Sequence, residues 1–314
     1  MEITDYSFKK GIPEEYKILF STRFVTKKII DYIVENTHSI SLITNQKYSF
    51  TTFLNNDTND TNIESEILDM ERRVIRFIDW IQPNMKQLPI KIFWFPTKFK
   101  KILPNDKKSL DVNEINSACT IHYNNIPNSY VVLYRREEAK KVLFHELVHL
   151  FHLDAYIPSI LEYKIREKYN LNLMLPCSLA ETYAEFMGCL LNIYYLSNGN
   201  TEIFNKYLAI EQAFSLYQVN KILNFFKIDD INDLNNLKSD TNLMTYYFLK
   251  TALITHENVT GFFYSLIRNK LLLDKTHLSF FEQYLDNLKN LPSYIKFIEN
   301  IKLDEHTMRM TIVE

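Results

Sequence analysis

The stretch EEAKKVLFHELVHLFHLD, residues 137–154, decides how this chain reads. Inside it His145, Glu146 and His149 stand in the spacing H-E-x-x-H. On a helix, residues four apart share a face, so His145 and His149 can aim two imidazoles at one ion. Glu146, beside the first histidine, can reach a water held on that ion. The stretch lacks Gly and Pro, and Glu137 and Glu138 are placed for a first turn, where the helix dipole favours negative charge. Val142, Leu143, Phe144, Leu147, Val148, Leu150 and Phe151 leave it apolar nearly all round, which predicts a buried helix. Imidazoles and a carboxylate inside such a helix need partners. A metal ion is the most economical partner for this spacing.

Upstream, the pattern is strands. IKIFWF (90–95) is an apolar run between two prolines, residues 117–123 alternate, and YVVLY (130–134) runs straight into the H-E-x-x-H helix. NNIPNS (124–129) supplies the turn between the last two. Further back, residues 24–35 carry apolar side chains at helical spacing, and 39–53 alternate as one or two strands with a turn at Asn45-Gln46. NNDTNDTN (55–62) is a polar loop and the expected domain boundary. Residues 63–81 read as a long amphipathic helix closed by Pro83, its exposed face mixing Glu66, Asp69, Glu71, Arg72, Arg73 and Arg76 in solvated ion pairs. The segment 98–108 is basic and proline-punctuated, a loop. Beyond Asp154 the pattern is helical: 159–169, 178–196, 203–226, 243–255, 259–272, 278–288 and 294–301, with Asn198-Gly199 as a stop signal. The expected class is α+β, a small mixed sheet beside the H-E-x-x-H helix followed by a mostly helical C-terminal half. The expected divisions are an N-terminal α/β segment (1–56), a core (63–200) and a helical subdomain (201–314).

Two histidines do not complete a catalytic metal site, which usually has three protein ligands and an open position. His152 lies on the same helix, but three ligands on one straight helix spread too far along its axis. Asp154 is better read as ending the helix. Position 155, where the H-E-x-x-H-x-x-G-x-x-H pattern has its third histidine, is Ala155, which excludes the metzincin arrangement. SLAETYAEFMGCLLN (178–192) places Glu181 and Glu185 on one face of an otherwise core-like helix. A carboxylate stripe there is costly unless it faces a cation. The two acids can divide the work, Glu181 on the metal and Glu185 behind it, fixing a histidine tautomer.

HELVH followed by ETYAEF resembles the gluzincin group of zinc metallopeptidases, which pair H-E-x-x-H with a glutamate ligand on a downstream helix and a carboxylate four residues later. The resemblance covers roughly residues 116–192. It implies a zincin-like fold and one Zn2+ per chain on His145, His149 and Glu181. It also implies Glu146 as general base and hydrolysis of a peptide or protein. Thr182 stands where that motif commonly has glycine, so the choice between Glu181 and Glu185 stays open, with Glu181 preferred. The resemblance further implies an edge strand along the substrate, for which Ser117, Ala118 and Cys119 fit. The oxyanion needs a second donor besides the metal. Tyr246, Tyr247, His256 and Tyr264 are the candidates, each read first as an ordinary core or surface residue. Arg135 and Arg136 are expected to pair with Glu137 or Glu138. The alternatives are a catalytically inactive interaction protein on the same scaffold, or a zinc hydrolase of a non-peptide amide.

Composition bounds the rest. A net charge of −2 gives no reason to expect nucleic acid or an anionic membrane as partner. Cys119, Cys177 and Cys189 are odd in number and widely spaced, which argues against a disulfide framework or a cysteine metal site. The first residues lack the apolar core of a signal peptide and no stretch is long enough to span a bilayer, so the expectation is a soluble, intracellular protein. Four glycines beside abundant Tyr, Phe, Ile, Asn and Lys suggest an AT-rich genome, such as that of a large DNA virus.

Overall fold

A computed structural model describes residues 2–7, 12–58, 62–105, 108–298 and 304–314. The protein is mixed α+β, and its chain divides into two compact units. The first comprises residues 1–101 and 116–151, the second 102–115 and 152–314.

The first unit is built on a six-stranded mixed sheet. Its strands are β1 (Glu2–Ser7), β2 (Thr37–Thr44), β3 (Tyr48–Asn55), β4 (Ile90–Trp94), β5 (Ala118–Ile121) and β6 (Tyr130–Leu133), in the spatial order β1-β2-β3-β4-β6-β5. β1, β2 and β3 run antiparallel, β3, β4 and β6 parallel, and β5 returns antiparallel on β6 to form an edge. The parallel step from β3 to β4 needs a crossover, and the helix Ile63–Ile81 lies in that connection. β6 then leads into the helix Ala139–Leu150, which carries HELVH. The two helices meet through aromatic side chains: Phe144 stacks 6.3 Å from Phe77 and 5.7 Å from Trp80. A further apolar cluster gathers Leu19, Phe20, Ile29 and Ile33 with Phe53, Phe95, Val132 and Tyr134.

The sheet corrects the expected boundary at the polar loop. β1 to β3 pair into the same sheet as β4 to β6, so residues 1–56 are not a separate segment. Asn59, Asp60 and Thr61 of that loop lie outside the described residues, as do Asp106 and Lys107 of the basic loop. The charged face of Ile63–Ile81 is also not wholly exposed: Glu71 and Arg73 are buried. Tyr48 donates its hydroxyl to Glu71. Arg73 donates Nε to Asp69 at 3.0 Å and lies over the Phe144 ring.

The HELVH helix is shorter than its sequence suggests at both ends. Glu138 takes a left-handed conformation (φ 60°) ahead of the first turn, because its carboxylate is drawn to Lys101 Nζ at 2.6 Å, with both side chains buried. Glu137 accepts from the Lys101 backbone N–H. The two acids are therefore anchors of the entry, not first-turn residues. Arg135 donates to the Asn116 carbonyl, and Arg136 forks onto Glu66 at 2.8 and 2.9 Å. At the other end His152 turns left-handed (φ 54°), so the helix stops at Leu150, before Asp154.

The second unit is helical: Ser159–Lys168, Leu179–Ser197, Thr201–Phe226, Val259–Arg268, Lys275–Leu285 and Leu291–Ile298, close to the expected ranges. Residues 299–301 of the last expected helix lie outside the described residues. Leu179–Ser197 ends where the stop signal stands, with Asn198 at φ 47° and Gly199 at φ 76°. The expected helix over 243–255 opens with a π-helical turn, Met244–Leu249, before continuing as Lys250–Ile254. The C-terminal residues 306–313 form an irregular strap with Met308, Met310, Thr311 and Val313 buried. Side-chain donors hold its carbonyls: Lys221 on Thr307, Tyr247 on Met308, Lys250 on Met310 and Asn192 on Val313. No helix among the described residues is long and apolar enough to cross a membrane.

Candidate metal centre

In the first unit, the HELVH helix carries out the convergence that its spacing predicts. Its burial follows from the all-round apolar pattern: Leu143, Phe144, Leu147 and Val148 are completely enclosed. His145 and Glu146 are buried with them. The Nε2 atoms of His145 and His149 face each other at 3.1 Å, with ring centroids 4.8 Å apart. Two nitrogens on one tetrahedral zinc, each about 2.05 Å from the metal, stand about 3.3 Å apart. The pair is thus already near the separation that a shared ion requires.

Glu146 is held from β5. Thr120 Oγ1 lies 2.7 Å from Glu146 Oε2 and 3.1 Å from its backbone carbonyl. The hydroxyl fixes one carboxylate oxygen of Glu146. Residue patterns alone did not single out Thr120; only the pairing of β5 beside the helix brings it there. Of the expected edge-strand residues, Ala118 and Cys119 lie on β5 and Ser117 just before it, its carbonyl accepting from Tyr134 N at 3.0 Å. Burial pushes the Cys119 thiol far up, with the Glu146 charge adding to the effect, so Cys119 stays a protonated thiol.

In the second unit, Glu181 stands in the first turn of Leu179–Ser197. Ser178 caps that helix, its side chain accepting from Glu181 N at 3.3 Å. Tyr246 donates its hydroxyl to Glu181 Oε2 at 2.8 Å. Glu185, one turn further on, is buried and lies 4.0 Å from the Cys189 thiol. Glu211 touches the same thiol at 4.0 Å and accepts from Thr311 Oγ1 at 2.7 Å.

The four proposed oxyanion donors part company. Tyr246 reaches Glu181. Tyr247, on the same turn, directs its hydroxyl to the Met308 carbonyl. His256 stacks on Tyr284 at 3.7 Å, and burial holds its imidazole below the usual histidine range. Tyr264 lies among Tyr194, Phe204 and Thr201. The last three have structural surroundings of their own.

His145 and His149 of the first unit and Glu181 of the second are the residues whose side chains could hold a metal ion. Two imidazoles and one carboxylate are a donor set suited to zinc, and three protein ligands leave a coordination position open.

Comparison with protein-family models finds no match. No solved structure matches either. The chain is 31% identical over 192 residues to an uncharacterized protein of Acanthamoeba polyphaga mimivirus. That alignment takes in 55% of this chain and 48% of the viral protein, so the chain spans about half the length of the curated relative it matches.

Proposed function

We propose that this chain is a zinc-dependent metallopeptidase of the gluzincin type, with His145, His149 and Glu181 as ligands and Glu146 as general base. The observation that carries the proposal is the His145–His149 pair, its Nε2 atoms 3.1 Å apart on a buried helix with Glu146 between them in sequence. Zinc, when bound, lowers the pKa of its water toward about 7 and polarises the scissile carbonyl. The protein's own residues do the rest. Glu146, held at Oε2 by Thr120, would serve as the general base and then return the proton to the departing amine. The edge of β5 offers backbone groups for an extended peptide, which gives grip with little side-chain selectivity. Tyr246 keeps Glu181 in a single orientation.

Metal analysis of the purified full chain, combined with a peptide library, tests the reading. It predicts about one zinc per chain, loss of zinc in His145→Ala and His149→Ala, and cleavage abolished in Glu146→Gln with zinc retained. Zinc bound without cleavage of any peptide would instead support an inactive scaffold. Activity on small amides alone would support a non-peptide hydrolase.

A further inference from the structure

Three successive residues of the π-helical turn Met244–Leu249 grip three different parts of the second unit. The Thr245 hydroxyl accepts from Ser178 N at 3.0 Å and lies 3.3 Å from the Ser178 carbonyl, so it holds the residue that caps the Glu181 helix. The Tyr246 hydroxyl donates to Glu181 Oε2. The Tyr247 hydroxyl donates to the Met308 carbonyl of the C-terminal strap. Isolated π turns are rare and often lie at functional sites. Here the turn is buried at all six positions, so neither tyrosine ring is free to swing.

From this arrangement we infer that Tyr246 is a positioning residue for the third metal ligand, not a donor to the reacting carbonyl. The inference rests on the proposed zinc site. A glutamate in a helix's first turn has several rotamers and two equivalent oxygens, and a metal would have to freeze both choices on binding. The phenol narrows them beforehand by holding Glu181 Oε2. The Ser178 clamp fixes the backbone that carries it. A hydroxyl committed to Glu181 is also spent as a donor, which removes Tyr246 from the oxyanion role that its position in sequence allowed. Orienting partners of this kind are typically worth about 10–100-fold in metal affinity.

The test is zinc affinity of the full chain, measured by competition with a chromophoric chelator. The variants are Tyr246→Phe, Tyr247→Phe, Glu181→Ala and Tyr246→Phe/Glu181→Ala. The visible spectrum of each Co2+-loaded form is recorded in parallel. Tyr246→Phe should weaken zinc binding about 10–100-fold and change the cobalt spectrum as the freed carboxylate re-orients. Tyr247→Phe, on the same turn but aimed at the strap, should leave affinity within about twofold. Once Glu181 is gone, adding Tyr246→Phe should cost nothing more, because the tyrosine acts only through the glutamate. The inference is overturned if Tyr246→Phe keeps native affinity and spectrum while Glu181→Ala has lost the metal. An equal cost of Tyr246→Phe with and without Glu181 would also overturn it, showing a general structural role. If Glu181→Ala binds zinc as the native chain does, the ligand assignment itself fails, and the inference falls with it.

Discussion

Glu146 is a buried carboxylate whose orientation is set in part from the neighbouring strand. Thr120 Oγ1 makes that contact, 2.7 Å from Glu146 Oε2, on the strand that also carries the buried Cys119 thiol. Thr120→Val keeps the shape and removes the hydroxyl. It should lower kcat roughly tenfold with little change in KM, and Thr120→Ser should restore most of the loss. Steady-state kinetics on a cleaved library peptide would check this, and an unchanged kcat would remove Thr120 from the account. At this scale the sequence was legible where chemistry is local. His145, Glu146 and His149 declare themselves by spacing. Tyr246 was one of four equal candidates because nothing in local sequence reports a contact across 65 residues of chain. Thr120 sits in an ordinary alternating strand, and its role exists only through strand pairing.

The HELVH helix is anchored at its start by an ion pair that spacing did not reveal. Lys101 and Glu138 are both enclosed, 2.6 Å apart, and Glu138 holds a left-handed backbone to make the contact. A non-glycine residue in that region carries strain that its surroundings must offset. Removing one partner strips the other, buried charge of this 2.6 Å ion pair. Lys101→Met should therefore cost about 3–5 kcal/mol of stability, read by urea denaturation, far more than an exposed pair such as Lys206–Glu202 would. A cost under about 1 kcal/mol would show that water reaches Glu138. Long helices and strands were otherwise legible from periodicity alone, since Ile63–Ile81 and Leu179–Ser197 each have a clear apolar pattern and a stop signal. The π turn was not, because one widened turn barely shifts the apolar period. Residues 306–313 were not either, since an irregular segment held by side-chain donors has no periodic pattern.

For the molecule as a whole, the division into units departs from a reading along the chain. The polar loop looked like a boundary, yet the strands on either side of it join one sheet, and residues 102–115 group with the helical unit. Composition shifts mark loops; only pairing marks units. Within the helical unit the strap adds a pH dependence. Burial pushes the Lys221 ammonium down to about 8, although Asp304 and Glu305 pull it the other way. A lysine with a depressed folded pKa holds fewer protons folded than unfolded above that value. Its contribution to stability is thus greatest above its unfolded pKa of 10.5 and is lost as pH falls through about 8. Native stability minus that of Lys221→Met should rise between pH 8 and pH 10, measured by denaturant titration at each pH; a flat difference would refute the burial. The central claim is that two imidazoles and one distant carboxylate share an ion, and X-ray absorption at the zinc edge of the metal-loaded full chain tests it most directly. The account predicts one zinc per chain in a shell of nitrogen and oxygen only, with two imidazole ligands, and a shell altered in Glu181→Ala. A shell containing sulfur, or one unchanged in His149→Ala and Glu181→Ala, would contradict it.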